Sequence, residues 1–257
     1  MTAPFGDLYS EYYDLIYHDK DYEKECDYIE SLFARYSGRK TKTILELGAG
    51  TGAYTIPMGE RGYKVLATDI SAPMLELARA KARKKRLTGL LSFEVSDMRQ
   101  VRSRETFDAC MCMFAAIDYL PSLSDVEMTF KSAWRRLRPK GLFVFDFWNG
   151  EAVLKVGPSQ RFKVVRERNT TLIRLATPSL DLRAKSCGIH YTTFVIEGHE
   201  LKHEFSEHHK VRYLFLDEVR RVLANSGFDL LSLHPFLSPG KKVSARDWNV
   251  TAVASRQ

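Results

Sequence analysis

The stretch Ile44-Leu45-Glu46-Leu47-Gly48-Ala49-Gly50-Thr51-Gly52 carries the strongest structural signal in this chain. Its first four residues continue an apolar segment that starts at Thr43, and this pattern predicts a short buried β-strand. Three glycines follow at alternate positions, where the backbone can turn tightly and a ligand can approach without meeting a Cβ atom. A helix is expected next. The stretch therefore predicts a strand–loop–helix unit that binds a nucleotide-like ligand.

Strands and helices alternate from this stretch to about residue 150. Apolar strand segments are predicted at 64–68, 91–95, 107–113 and 142–147, with helices between them. Ser71 is expected to cap one helix, and Ser124 with Glu127 to form a capping box for another. A further helix is predicted at 23–36. The alternation predicts an α/β fold, a Rossmann-like doubly wound seven-stranded sheet.

The alternation stops near Glu151. Four segments at 161–168, 171–177, 187–196 and 201–215 are rich in β-forming residues and have no helices between them. They predict an antiparallel β insertion after the fifth strand of the sheet. A helix at 217–226 and strands at 228–236 and 248–254 then complete the core.

Composition excludes several classes of protein. The chain has 257 residues, with 39 Lys and Arg against 32 Asp and Glu, and a net charge of +7. Its longest apolar run, Ala109 to Ile117, is nine residues, whereas a membrane-spanning helix needs about 20. The N-terminus does not resemble a secretory signal, and four cysteines are too few for a disulfide scaffold. We expect a cytoplasmic protein with no membrane association and no metal site.

The basic residues form two groups. Six of the eight residues from Arg79 to Arg86 are basic, and Arg135, Arg136, Arg138 and Lys140 form the second group. Such groups can contact the phosphates of a nucleic acid. No aromatic or RNA-binding signature accompanies them, so we favour solvated helix faces whose charges suit the helix dipole. We do not expect a nucleic-acid partner.

Three acidic residues distinguish between the ligands that the glycine loop could bind. The pattern Gly48-x-Gly50-x-x-Ala53 also fits a nicotinamide cofactor, but Glu46 would repel a pyrophosphate and would suit a sulfonium with an amino-acid ammonium. Asp69 ends the second strand, where it can accept both ribose hydroxyls. Asp97 ends the third strand, where it can accept from an adenine amino group while Met98 packs on the ring. The constellation predicts S-adenosylmethionine as the cofactor.

On these residues the sequence resembles the class I S-adenosylmethionine-dependent methyltransferases, over roughly residues 40–150. The motifs are the glycine stretch, Ala67-Thr68-Asp69-Ile70-Ser71, Ser96-Asp97-Met98 and the apolar run from Phe107 to Phe114. The resemblance implies cofactor contacts from the glycine loop, the three acids and their neighbours. The implied set is Glu46, Gly48, Ala49, Gly50, Gly52, Asp69, Ile70, Asp97 and Met98.

The N-terminal tyrosines and the strand insertion resemble a narrower branch, which acts on small molecules. This branch includes amino-sugar N-methyltransferases and glycine N-methyltransferase-like enzymes. The resemblance implies that the N-terminal segment folds over the cofactor, with Tyr13 and Tyr22 in contact, and that the backbone near Met113 touches the methionine moiety. The polar-Pro-Pro-aromatic motif of enzymes that methylate adenine or glutamine is missing, since Phe114-Ala115-Ala116-Ile117-Asp118-Tyr119 stands in its place.

The substrate side is predicted from the ends of strands. Asp146 lies near the end of the fifth strand and could accept a proton, although an Asp there is often only a loop cap. Trp148 and Asn149 follow it, and Tyr17 is a further substrate candidate. Period-two alternation places His209 on an apolar strand face, so it is either a hydrogen-bonded core histidine or a catalytic proton acceptor.

We therefore predict a methyltransferase that acts on oxygen or nitrogen of a small polar substrate, such as a sugar or amino sugar. An RNA-modifying methyltransferase and a cofactor-binding module without turnover remain as alternatives. The insertion could roof the active site or form a homodimer interface. We divide the chain into an N-terminal helical lid segment (1–40), a cofactor-binding methyltransferase core (41–154), an antiparallel β insertion (155–215) and a C-terminal part of the core (216–257).

Overall fold

The computed structural model describes residues 6–257, with Asp7 described by its backbone alone. Residues 1–5 of the predicted lid segment lie outside the described residues. In chain order the elements are α1 (Asp7–Ile16), α2 (Tyr22–Tyr36), β1 (Thr43–Leu47), α3 (Thr55–Glu60), β2 (Lys64–Asp69), α4 (Ala72–Lys84), β3 (Leu91–Val95), β4 (Phe107–Cys112), α5 (Leu123–Arg136), β5 (Leu137–Trp148), α6 (Gly150–Val156), β6 (Arg161–Glu167), β7 (Thr170–Asp181), β8 (Ser186–Glu197), β9 (Glu200–Arg212), α7 (Leu216–Asn225), β10 (Phe228–Pro235) and β11 (Asn249–Arg256).

The central sheet has seven strands in the order β10-β11-β5-β4-β1-β2-β3. Strands β1 to β5 pair in parallel, and β11 runs antiparallel to both of its neighbours. Because β1 is central and the chain winds outward from it in both directions, the loops after β1 and β4 lie beside each other at one edge of the sheet. This is the crevice in which open α/β sheets bind ligands. The predicted fold class is confirmed.

The insertion forms a second sheet of four strands in the order β6-β7-β8-β9, and all of its pairs are antiparallel. It leaves the core through α6, directly after β5, and returns beside the same point. There the backbone N–H of Leu214 donates to the carbonyl of Trp148 at 3.0 Å. The second sheet is therefore attached at the ligand-binding edge of the first.

Apolar side chains cover both faces of the central sheet. On one face α5 and α7 pack on β4 and β5, with the Phe130 and Phe145 rings 4.9 Å apart. On the other face α2 and α3 pack through residues such as Ile29. A third cluster joins Tyr9 and Ile16 of α1 to Leu172 and Val195 of the insertion. The first helix is thus held against the second sheet by apolar burial.

Two local predictions were wrong. Helix α5 is capped by Ser122, whose Oγ accepts from the backbone N–H of Asp125 at 3.1 Å, and not by a capping box of Ser124 and Glu127. The sequence Ser-x-x-Asp satisfies the same cap geometry two residues earlier. Strand β5 begins at Leu137 and not at 142, because Leu137 already pairs with Phe107. Within residues 6–257, none of the helices combines the length and the hydropathy that crossing a membrane requires.

Candidate active site

A cavity of about 400 Å³ lies at the carboxyl ends of the parallel strands, between the central sheet, α1 and the insertion. Its walls come from the N-terminal segment, the loops that follow the parallel strands, and the insertion. The N-terminal segment contributes tyrosines, the glycine loop contributes backbone, and the insertion contributes Ile189, Tyr191 and Val211. The insertion therefore covers the cavity as a roof.

The glycine loop requires glycine for two physical reasons. Gly48, Gly50 and Gly52 all have positive φ, of 72°, 55° and 79°, a region that other residues adopt only at a cost. A Cβ atom on Gly48 would lie 2.7 Å from the Cβ of Ala116. The N–H groups of Gly48 and Ala49 both donate to the carbonyl of Thr68. The loop is therefore fixed to the end of β2, with Gly48, Ala49 and Gly50 in the cavity wall. Gly52, also predicted to contact the cofactor, is not among the described lining residues and packs against Ala78 of α4.

Asp69 holds this loop in place and also lines the cavity. Its Oδ2 accepts from the N–H of Gly50 and its Oδ1 accepts from the N–H of Ser71, both at 2.8 Å. Burial raises the pKa of the carboxyl, and the backbone donors oppose this shift. The neighbouring Ile70 is 68% exposed and also reaches the cavity. Asp69 thus ends β2 and, with Ile70, lines the cavity, while their contact with a cofactor stays a prediction.

Glu46 has a different setting. It is buried, accepts from the Thr55 hydroxyl, and is not among the described residues that line the cavity. Burial raises its pKa to about 8, and the nearby Asp69 adds to the shift. Burial therefore favours the protonated carboxyl, and its hydrogen bond with Thr55 holds the start of α3 on β1.

Asp97 and Met98 line the cavity after β3, as expected for an adenine site. The Asp97 carboxylate is also paired with the Arg99 guanidinium, whose Nε lies 3.0 Å from both carboxylate oxygens. This contact lowers the pKa of Asp97. Arg99 extends to Asp125 on α5 at 2.8 Å, so the segment after β3 is fixed to that helix.

The chain after β4 turns sharply at Met113, where the sequence analysis expected contact with the methionine moiety. Phe114 and Ala115 have left-handed backbones, with φ of 60° and 54°. The backbone N–H of Ala115 donates to Oδ1 of Asp146 at 3.0 Å. Asp146 is buried, and burial raises its pKa to about 7. Met113, Phe114, Ala115 and Asp146 all line the cavity.

Tyrosines from the N-terminal segment form another wall. Tyr13, Tyr17 and Tyr22 line the cavity, and the Tyr17 ring lies 5.1 Å from the Phe114 ring. Helix α1 is tied to the core by Asp14, which accepts from the Thr51 hydroxyl at 2.6 Å and pairs with Lys81 at 2.5 Å.

His209 does not line the cavity, although it is close to it. Its ring is 1% exposed. Nδ1 lies 2.8 Å from the Tyr119 hydroxyl, and Nε2 lies 2.8 Å from Oε2 of Glu207. Tyr119 does line the cavity. The three side chains form a hydrogen-bonded series that leads from the cavity into the roof.

Trp148 lines the cavity, but the side chain of Asn149 is engaged elsewhere. Its amide nitrogen donates to the carbonyls of Ser244 and Asp247, and its oxygen accepts from the N–H of Glu151 at the start of α6. Asn149 therefore caps a helix and fixes the loop before β11, and it is not among the described cavity-lining residues.

Sequence analysis did not predict several residues of this region, and three of them bear on its chemistry. Tyr119 and Tyr191 line the cavity, and the Arg174 guanidinium lies 5.1 Å from the Tyr17 ring and 4.6 Å from the Tyr191 ring. Among the described residues, Arg174 has no carboxylate within ion-pair distance. Tyr119 could have been predicted as a polar residue in the segment that follows β4. Arg174 could not be predicted from the sequence, because a single Arg in a strand is common and does not indicate a site.

Comparison with known proteins agrees with this geometry. Residues 44–141 match the family described as "Methyltransferase domain". The chain is an S-adenosylmethionine-dependent methyltransferase. The methyltransferase is 29% identical over 223 residues to YqeM of Bacillus subtilis (strain 168), a provisionally named methyltransferase, and this match covers 86% of the chain and 85% of YqeM.

This methyltransferase is also similar to a sugar-modifying enzyme in sequence and to a solved structure in fold. It is 24% identical over 230 residues to the dTDP-3-amino-3,6-dideoxy-alpha-D-glucopyranose N,N-dimethyltransferase of Streptomyces fradiae, over 89% of this chain and 86% of that one. The crystal structure of an S-adenosylmethionine-dependent methyltransferase from Clostridium acetobutylicum ATCC 824 has the same fold, with a TM-score of 0.81, 22% identity and 97% coverage of both chains.

Proposed function

We propose that this methyltransferase acts on an amine or hydroxyl of a small polar molecule that carries an anionic group, with sugars and amino sugars as the favoured class. The observation that carries the proposal is the contact between the Tyr119 hydroxyl in the cavity wall and the buried His209. It supplies a proton acceptor beside the space in which a methyl acceptor would bind.

The size and enclosure of the cavity support a small substrate. The volume of about 400 Å³ lies within the range for small-molecule sites, and the cofactor takes part of it. The roof and the N-terminal tyrosines cover the remaining space. Such a cover excludes water and aligns an acceptor with the methyl group, which is the main requirement of a displacement reaction.

The residues fit the cofactor. Gly48, Ala49 and Gly50 present backbone to the cavity, and Asp69 lies at the end of β2, where a ribose would be bound. Asp97 and Met98 offer an acceptor and an apolar surface for adenine. When bound, S-adenosylmethionine supplies an electrophilic methyl group on a sulfonium.

Tyr119, His209 and Glu207 can remove the proton that the acceptor loses. In the tautomer that satisfies both contacts, the Tyr119 O–H donates to Nδ1 and Nε2–H donates to Glu207. The Tyr119 oxygen then accepts the acceptor's proton while its own proton moves to Nδ1. Glu207 stabilises the resulting imidazolium. Because burial raises the pKa of Tyr119, the two transfers are expected to be coupled, without a free tyrosinate.

Arg174 supports the proposal that the substrate carries an anionic group. Its guanidinium is partly buried beside Tyr17 and Tyr191 of the cavity wall, and its one described hydrogen-bond partner is the Tyr17 hydroxyl at 3.2 Å. Arg174 itself is not among the described residues that line the cavity, so it would meet the anionic group between these two tyrosines. A partly buried guanidinium without a carboxylate retains donors for a carboxylate or phosphate. The Streptomyces fradiae relative is named for a nucleotide-linked amino sugar, which has both an amine and a charged diphosphate.

The experiment is a methyl-transfer screen with radiolabelled cofactor. Purified protein would be incubated separately with amino sugars, nucleotide-linked amino sugars, amino acids and total RNA, and the label would be followed into each fraction. Label in an anionic small molecule supports the proposal. Label confined to RNA would replace it with the RNA-modifying alternative, and cofactor binding without any transfer would favour the binding module.

A further inference from the structure

A second cleft lies on the other side of the segment that borders the cofactor cavity. Residues 97–99 of this segment face the cofactor cavity, whereas residues 100–102 face the second cleft. The cleft has a volume of about 360 Å³. Its described lining consists of Gln100, Val101, Arg102, Ser132, Arg135 and Arg136.

The walls of the cleft are held in fixed positions. The backbone N–H of Val101 donates to Oγ of Ser132 at 3.0 Å, which joins the segment to α5. One turn away, Arg99 bridges Asp97 and Asp125. The cleft is therefore preformed between two elements that are bonded to each other.

The positive charge of the three arginines in this cleft is not paired with a carboxylate among the described residues. Its described lining contains three arginines and no acidic residue. Within residues 6–257, neither an ion pair nor a side-chain hydrogen bond is found for Arg102, Arg135 or Arg136. Arg61, by contrast, pairs with three carboxylates, and Arg138 pairs with Asp108. The cleft is thus a local concentration of uncompensated positive charge.

One donor of a cleft-lining side chain is buried and unsatisfied, as are the Nε atoms of Arg212 and Arg256 outside the cleft. Nε of Arg136 is inaccessible and has no hydrogen-bond partner. Leaving such a group unpaired costs about 1–3 kcal/mol. The helix dipole favours cations at the end of α5, which accounts for Arg135 and Arg136. It does not account for Arg102, which lines the same cleft from the facing segment.

We propose that this cleft is a binding site for a phosphate or diphosphate group, separate from the cofactor cavity. Planar guanidinium groups match phosphate oxygens in pairs and remain charged at every physiological pH. Gln100 and Ser132 add neutral polar groups at the same position. The phosphate can belong to a free nucleotide-like molecule or to a nucleic-acid backbone, and both present the same oxygens.

The test measures binding of inorganic pyrophosphate by titration calorimetry at low ionic strength. Arg136→Gln and Arg102→Gln should each raise the dissociation constant by about tenfold or more. Arg83→Gln is the matched control, because it removes an equal charge from an exposed position on α4, outside the cleft. S-adenosylmethionine affinity, measured in the same variants, should stay unchanged, so this result does not depend on the substrate proposal. Arg102 is exposed, so its variant should fold even if Arg136→Gln does not.

Competition identifies the source of the phosphate. A single-stranded RNA oligonucleotide that binds with the same variant dependence, and that pyrophosphate displaces, assigns the cleft to a nucleic-acid backbone. Pyrophosphate binding without RNA binding assigns it to a small molecule. The proposal is overturned if pyrophosphate does not bind at millimolar concentration, or if Arg83→Gln weakens binding as much as the cleft variants do.

Discussion

Oδ1 of Asp146 accepts a hydrogen bond from the backbone N–H of Ala115 at 3.0 Å, and it thereby holds two consecutive left-handed residues in the cavity wall. A left-handed backbone costs a non-glycine residue roughly 1–2 kcal/mol. The neighbouring Phe114 ring projects into the cavity beside Tyr17. The sequence analysis considered Asp146 as a proton acceptor, whereas this contact suggests that it positions the turn.

Replacement of Asp146 separates the two roles. Asp146→Ala removes the acceptor, and we expect kcat to fall by about tenfold or more because the turn shifts. Asp146→Asn keeps an oxygen for the Ala115 N–H and should retain most of the activity. The measurement is kcat for both variants, with thermal melting to verify the fold. Equal loss in both variants would instead indicate proton transfer by the carboxylate.

Tyr119 and His209 should behave as a unit. Tyr119→Phe and His209→Asn should each reduce turnover by about 10²-fold, and the double variant should lose little more than either single one. S-adenosylmethionine affinity should be nearly unchanged. His208→Asn is the control, since His208 is the adjacent but exposed residue of the same strand. Normal turnover in Tyr119→Phe would return His209 to a structural role.

Replacement of Asp69 is expected to weaken the binding of the cofactor and not that of the substrate. Asp69→Ala removes the ribose acceptors and also releases the N–H of Gly50, so S-adenosylmethionine binding should weaken by about 2–3 kcal/mol. Calorimetric titration measures this loss. Asp229→Ala is the control, because it removes an exposed carboxylate that is distant from Asp69 in the sequence. Tight NAD binding by the unmutated protein, without S-adenosylmethionine binding, would contradict the cofactor assignment.

Replacement of Arg174 is expected to weaken the binding of the substrate and not that of the cofactor. Arg174→Gln should raise KM for an anionic acceptor by about tenfold, because one charged hydrogen bond is lost, and should change kcat little. An uncharged analogue of the same acceptor should show no such difference between variant and unmutated protein. A variant whose KM rises equally for both acceptors would point to a general packing role.

Two buried carboxyl groups give the fold a pH dependence. Burial raises the pKa of Glu46 to about 8 and that of Asp146 to about 7. Between about pH 5 and pH 8 these two groups therefore bind more protons in the folded chain than in the unfolded chain, and their contribution to the free energy of unfolding falls as pH rises. Glu46→Gln removes one of these groups while keeping an oxygen for the Thr55 hydroxyl.

The pH effect is measured by urea unfolding at about pH 5.5 and about pH 8. The unmutated protein should lose stability between these values, and Glu46→Gln should remove roughly 2–3 kcal/mol of that loss. Unfolding free energies that change equally in both proteins would show that Glu46 titrates near its ordinary pKa in the folded state.

The sequence predicted those parts of the site that are local in the chain. The glycine loop, Asp69, and the pair Asp97 and Met98 each follow a strand directly, so the strand order alone brings them to one edge. The contact between Tyr119 and His209 spans 90 residues and depends on the register of β8 and β9 and on how the insertion sits over β4. Alternation along one strand placed His209 on the inner face but could not show which side chain it meets. The cap of α5 was missed for a related reason, since Ser122 and Ser124 offer equivalent local patterns.

Asp14 joins α1 to the core through Thr51 and Lys81. Because Tyr9 and Tyr13 of this helix line the cavity, we expect its displacement to open a path for the spent cofactor. Its tie to Lys81 is a partly exposed ion pair, which dissolved salt screens, whereas the apolar contacts of Tyr9 and Ile16 are insensitive to screening. We therefore expect added salt to shorten the residence time of the product by weakening this ion pair, and to leave the alignment of the reacting groups under the roof unchanged.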